Sequence, residues 1–202
     1  PTAKGTEALL DCFDFALQGE GDEAIKHFLT AFTGFKDYSD ITGLVYRKNK
    51  KELSNDSEQL ENLNQLSVPD RGLLNLKKYV SRVPKHGKKR YTSIMATRGC
   101  PYECVFCAVQ TMYGRTLRFR PLEDVIKEIE VCVREHGITH FHFVDDTLTV
   151  NKNYVRKLCH LIHENNLDIV FNMVRFTDPM LGNSDLADKC QPIGEDETKM
   201  RE

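Results

Sequence analysis

The sequence predicts an α/β fold whose regular part, residues 91–176, is a run of about three βα units with parallel strands, a partial (β/α) barrel. Two observations carry this. Short apolar runs with β-branched or aromatic residues, at 91–97, 138–144 and 168–174, alternate with longer stretches of helical period. The intervening stretches are long enough to be crossover helices, and crossovers of that kind join parallel strands.

The elements follow in order. Pro121 opens a helix, where its missing N–H removes no hydrogen bond. Leu122, Val125, Ile126, Ile129, Cys132 and Val133 then form one apolar stripe, and Gly137 ends it. The strand at 138–144 sets Phe141 and Phe143 on one face and His140 and His142 on the other. Tyr154, Val155, Leu158, Leu161 and Ile162 make the next helix face, which Asn165-Asn166 breaks. Three units do not close a barrel, so Phe141, Phe143, Phe171 and Met173 are expected to be under-packed.

Upstream, residues 5–17 read as a short helix followed by a strand over 13–17. Ile25, Phe28, Leu29 and Phe32 fall at helical spacing after the Gly19-Glu20-Gly21 turn, and Gly34 suits the helix end. Residues 43–47 and a second run near Leu53 read as a hairpin around a Lys/Asn turn. Residues 54–67 are polar and read as a loop, and residues 177–202 as an irregular tail. Residues 77–90 carry seven Lys/Arg. They fit a solvated linker better than a nucleic-acid surface, because no aromatics beyond Tyr79 are interleaved.

A net charge of −2 gives no bulk attraction to nucleic acid or to an anionic membrane. No apolar run reaches the ~20 residues of a membrane span, and no leader opens the chain, so the cytoplasm is the expected compartment. The seven cysteines are odd in number and three crowd into eight residues, which suits reduced thiols serving a metal.

Those three are Cys100, Cys104 and Cys107, in the run Arg98-Gly99-Cys100-Pro101-Tyr102-Glu103-Cys104-Val105-Phe106-Cys107. Thiolates at C-x3-C-x2-C spacing can wrap one iron–sulfur cluster from a single loop. On a 4Fe–4S cube they leave one iron open for a reacting ligand. The alternative is zinc, which wants four Cys or His ligands, usually as paired knuckles. No second C-x2-C occurs, and Cys12, Cys132, Cys159 and Cys190 are scattered.

This loop, placed after a strand and before a helix, resembles the radical S-adenosylmethionine (SAM) superfamily. The resemblance implies that Cys100, Cys104 and Cys107 hold a 4Fe–4S cluster and that SAM binds the open iron. Reductive cleavage of SAM then releases a 5′-deoxyadenosyl radical. It places Phe106 near the SAM adenine, and Asp145 and Asp146, at the carboxyl end of the second strand, near the SAM ammonium. A turn and helix cap is the other reading of that Asp pair. Arg175 ends the third strand, facing SAM, substrate or solvent. Gly114, Arg115, Arg118 and Arg120 match a Gly/Arg run whose charge would poise the cluster, and His140 and His142 read as packed residues rather than a metal pair.

Gly19-Glu20-Gly21-Asp22-Glu23, the run from Ile41 to Arg47, and Leu66-Ser67-Val68-Pro69-Asp70-Arg71 resemble the cobalamin-binding branch of that superfamily. The resemblance implies the last βα unit of a doubly wound cobalamin-type domain within residues 1–65, a linker at 66–90, the N-terminal half of a radical SAM core at 91–176, and the tail beyond. It implies cobalamin-dependent methyl transfer to a small molecule by a full-length parent, with an electron donor such as flavodoxin or ferredoxin. A methylthiotransferase or oxidoreductase of another branch, or a non-catalytic metal-binding fragment, are the alternatives. No Asp-x-His-x-x-Gly motif occurs. With only the last βα unit of the cobalamin-type domain and three βα units of the core, these 202 residues alone are not expected to hold cobalamin tightly or to turn over.

Overall fold

The computed structural model describes residues 12–34, 37–83 and 87–173; the expected short helix before residue 12, Arg175 and the tail lie outside them. In chain order the elements are β1 (Phe15–Leu17), α1 (Gly21–Gly34), β2 (Leu44–Lys48), β3 (Lys51–Ser54), β4 (Val80–Val83), β5 (Gly87–Ile94), β6 (Thr97–Arg98), α2 (Val109–Tyr113), β7 (Arg118–Phe119), α3 (Leu122–His136), β8 (His140–Phe143), α4 (Lys152–Glu164) and β9 (Val170–Met173). They fall into two units. One comprises Pro1–Leu66 with Arg98–Arg118, the other Ser67–Thr97 with Phe119–Glu202.

In the first unit, β1, β2 and β3 form an antiparallel sheet in that order. The β2–β3 hairpin turns through Asn49 and Lys50, both at positive φ, as the Lys/Asn turn requires. The expected upstream βα unit is β1 followed by α1, and β1 pairs antiparallel with β2 through Phe15↔Tyr46 and Leu17↔Leu44. Helix α1 carries Asp22 and Glu23 in its first turn, where carboxylates favour the positive end of the helix dipole. It buries Ala24 and Ala31, and Phe28 packs with Phe15, Tyr38 and Tyr46 around Ile41 and Leu44. Four of these rings form a ladder: Phe15 to Phe28 at 4.9 Å, Phe15 to Tyr38 at 5.3 Å, and Tyr38 to Tyr46 at 5.5 Å.

The second unit is built on the sheet β4-β5-β8-β9. β5, β8 and β9 are parallel, in register Thr92↔Phe141↔Phe171 and Ile94↔Phe143↔Met173. Strand order follows chain order, so each βα unit adds to the same edge, as in an unclosed barrel rather than a doubly wound sheet. α3 has Pro121 at its N-cap, ends on Gly137 in the left-handed region at φ 61, and carries acidic residues in its first turn and basic ones in its last. α4 is capped by Asn151, whose side chain accepts from the Tyr154 N–H at 3.0 Å.

Three expectations change. Phe141 and Phe143 are fully buried and Phe171 is nearly so, not under-packed; α3 and α4 supply Val125, Ile126, Ile129, Leu158 and Ile162 to the same core. The Met173 side chain lies outside the description. The strand expected at 91–97 ends at Ile94, and β6 forms a separate ribbon with β7. The basic stretch is solvated, as expected, but it is not without regular structure. It contains a 3-10 turn at Leu76–Lys78 and the β4–β5 hairpin, which extends the parallel sheet by one antiparallel strand, and Lys77, Lys78, Lys88, Lys89 and Arg90 remain exposed.

Candidate metal centre

The cysteines lie on the loop between β6 and β7, within the first unit. Gly99, at φ +94, lets the chain turn out of β6; a Cβ there would sit 2.2 Å from the Thr116 carbonyl oxygen. The Cys100 N–H donates to the Gly114 carbonyl at 3.2 Å, closing the loop across its base. Gly114 ends α2 at φ +73, and a Cβ there would collide with the Gln59 side chain. The Cys107 N–H donates to the Cys104 carbonyl at 3.0 Å, a turn that brings the last two cysteines round together.

All three are free thiols, Cys100 buried and Cys104 and Cys107 half-buried. Phe106 projects from the loop, 81% exposed, beside a fully exposed Val105. Among the described residues no three His, Cys, Asp or Glu side chains are gathered closely enough to hold a single metal ion. Three free thiols on one loop are the donor type that an iron–sulfur cluster takes, each on a separate iron.

The loop is anchored by charge at both ends. Arg98 Nη1 lies 2.9 Å from Glu20 Oε2 and 2.6 Å from Asp22 Oδ2, and Arg118 Nη2 lies 2.5 Å from Glu20 Oε1. Arg118 also donates to the carbonyls of Leu60 and Tyr113, and the Arg98 guanidinium lies 5.6 Å from the Tyr113 ring centroid. The Asp22 carboxyl is held below its usual range by its hydrogen bond from Arg98. The arginines expected to lend charge to the cluster are thus committed: Arg118 to Glu20, Arg115 to Glu103, and Arg120 to Glu128 at 2.7 Å. No local sequence signal marks Glu20 for this task, because its partners lie about eighty and about a hundred residues away.

Asp145 and Asp146 belong to the second unit, at the carboxyl end of β8. Asp145 is 3% exposed. Its Oδ1 accepts from the Ala96 N–H at 2.9 Å, from the Thr97 N–H, and from Thr97 Oγ1 at 2.7 Å. Its Oδ2 is buried without a partner among the described residues. Burial pushes the carboxyl up to about 6, against the lowering effect of those hydrogen bonds. Asp146 is half-buried, its carboxyl also raised by burial. Nearby, the Tyr154 hydroxyl donates to the Arg120 carbonyl at 2.8 Å, and burial pushes that phenol up. His140 is buried in β8, and His142 stacks on Tyr91 at 4.4 Å with its imidazole lowered by burial.

The strand–loop–helix arrangement with its three cysteines agrees with the comparisons. Residues 94–194 match the Radical SAM superfamily, and the chain belongs to that superfamily. It is 32% identical to an uncharacterized methyltransferase, PH0819, of Pyrococcus horikoshii over 78% of this chain and 34% of that protein. It is 26% identical to the anaerobic magnesium-protoporphyrin IX monomethyl ester cyclase of Synechocystis sp. over 86% of this chain and 34% of that one. The chain spans about a third of the length of these curated relatives. Its fold is similar to that of the radical SAM methyltransferase TsrM from Kitasatospora setae, solved with cobalamin and a 4Fe–4S cluster, with a TM-score of 0.62 at 24% identity over 79% of this chain and 32% of that one. It is also similar to the cobalamin-dependent radical enzyme OxsB, solved with aqua-cobalamin and SAM, with a TM-score of 0.65 at 15% identity over 82% and 24%. Among the described residues no helix is long and apolar enough to cross a membrane.

Proposed function

We propose that this chain carries the cluster loop and first βα units of a radical SAM enzyme, and that the parent protein performs cobalamin-dependent methyl transfer on a small molecule, with an electron donor such as flavodoxin or ferredoxin. The observation that carries this is the loop of Cys100, Cys104 and Cys107, tied at its base and bearing three free thiols. The methyl-transfer part rests on the names of the relatives. On this reading residues 1–65 end a cobalamin-binding-like domain, 66–90 connect it, and 91–176 begin the radical SAM core.

A 4Fe–4S cluster held there supplies, when bound, the single electron for reductive cleavage of SAM. The chain's own residues have separable tasks. Cys100, Cys104 and Cys107 ligate. Phe106, exposed on the loop, offers a face for the adenine. Asp145 Oδ2 is an orphaned buried acceptor, and a cation such as the SAM ammonium would relieve its burial cost; Asp146 stands beside it in the chain as the second carboxylate. Arg175, outside the described residues, is a further candidate for SAM or substrate by the resemblance alone.

Anaerobic reconstitution with iron and sulfide tests the reading. About four irons per chain are expected, as one cube requires. Cys100→Ala, Cys104→Ala and Cys107→Ala should each lose them, and Cys132→Ala should not. Tight stoichiometric zinc with no iron uptake would sink it.

A further inference from the structure

Glu20 in the first unit has a side chain only 2% exposed, and each of its oxygens meets a different arginine. Arg98 stands two residues ahead of Cys100 and Arg118 follows the loop, so one carboxylate grips both ends of the segment that bears the three thiols. Both guanidiniums are themselves buried, their side chains 11% and 8% exposed. With Asp22 as second acceptor on Arg98, two carboxylates balance two guanidiniums. The group therefore adds geometry to the loop without adding net charge.

We infer that Glu20 is a positioning residue for the cysteine loop: it holds the two ends together whether or not a cluster is bound, and so sets the separation of the thiols before metal arrives. The inference rests on the reading of this loop as the cluster loop. Closing a loop costs chain entropy, and a clamp at its base removes that cost from the metal-binding step. Converting Glu20 to an uncharged residue leaves two buried cations with one carboxylate between them, Asp22, which bonds Arg98, while Arg118 keeps only the neutral Leu60 and Tyr113 carbonyls.

The test uses the full chain and three variants. Glu20→Gln removes the clamp's charge. Glu23→Gln, three residues on in the first turn of α1, where the half-buried Glu23 pairs with Lys26, is the control. Glu20→Gln combined with Arg98→Gln restores charge balance. Amide hydrogen exchange is measured on the metal-free proteins, and loss of the reconstituted cluster to a chelator is timed. Glu20→Gln should speed exchange across residues 99–117 while β1, β2 and β3 keep their protection. It should also speed cluster loss at least about tenfold, as befits loss of a buried charge partner. Glu23→Gln should match the parent, and the double variant should recover part of the loss. Unchanged loop exchange and cluster lifetime in folded Glu20→Gln overturns the inference. So does loss of protection throughout the β1–β3 sheet, which would make Glu20 a general stabiliser. Should the parent chain take up no iron, the cluster reading fails, and the hydrogen-exchange comparison still decides the clamp.

Discussion

Arg71 and Glu128, 57 residues apart, meet inside the second unit at 2.6 Å, with side chains 7% and 2% exposed. Arg71 also donates to Thr92 Oγ1 at 3.1 Å and to the Ser93 carbonyl at 2.8 Å, and Glu128 takes Arg120 on its other oxygen at 2.7 Å. One carboxylate on α3 thus joins the 3-10 turn at Arg71–Leu73, strand β5 and the segment leading into α3. Breaking such a pair from one side strands a buried charge. Glu128→Gln or Arg71→Ala should cost about 3–5 kcal/mol in chemical denaturation, whereas replacing all three charged residues with apolar ones of similar volume should cost far less.

Asp145 gives the second unit a dependence on pH. Its folded value is about 6, against an ordinary 3.8, so the native state binds the proton more readily than the unfolded chain. The burial cost of the ionised form is complete above about pH 6. It is relieved as pH falls towards 3.8, and this group alone makes the protein more stable over that interval, by on the order of 1–3 kcal/mol. Asp145→Asn, which keeps an acceptor for the Ala96 and Thr97 donors, should flatten the term. Unfolding free energies of both proteins between pH 4 and about 7 measure it, and parallel curves would count against it.

The loop glycines should be irreplaceable where others are not. Gly99→Ala sets a Cβ against the Thr116 carbonyl in a backbone conformation at φ +94, and its expected cost is about 1–3 kcal/mol with reduced iron content. Gly21, at the start of α1, has open space around its would-be Cβ. Gly21→Ala should be neutral or stabilise by up to about 1 kcal/mol. Thermal unfolding and iron assays of the two variants, side by side, make the comparison.

Thiol labelling of the metal-free protein should follow enclosure. Cys132 is fully buried and burial pushes its thiol up, so it should resist iodoacetamide until the protein unfolds. Exposed Cys12 should label first, with Cys104 and Cys107 ahead of Cys100. Mass spectrometry over a time course reads the order. Early modification of Cys132 would mean that α3 is less firmly packed than the core around Ile129 indicates.

What was legible in the sequence followed local rules. The period of α3, its Pro121 start and Gly137 stop, and the face assignment of Phe141 and Phe143 all depend on neighbours within a turn or a pleat. The β4–β5 hairpin is not legible because the paired half of β5, Gly87-Lys88-Lys89-Arg90, is basic, and charge hides the alternation that marks a strand. The ion pairs of Glu20, Glu128 and Arg71 are not legible, since charged side chains are seldom fully enclosed and their partners lie at distances in sequence that no local pattern encodes. The same holds for Asp145: its place after a strand was readable, but its three donors at Ala96 and Thr97 were not.

The discontinuous first unit bears on how such proteins can be shuffled. Its two stretches, Pro1–Leu66 and Arg98–Arg118, are separated in the gene by residues of the other unit. A crossover between two relatives anywhere from Gly34 to Thr97 would give an offspring whose Glu20 comes from one parent and whose Arg98 and Arg118 come from the other. Such hybrids should keep their thiol loop seated only when both parents bring the same acid and the same two bases. Recombination would therefore treat the acid on the first stretch and the bases on the second as one heritable block.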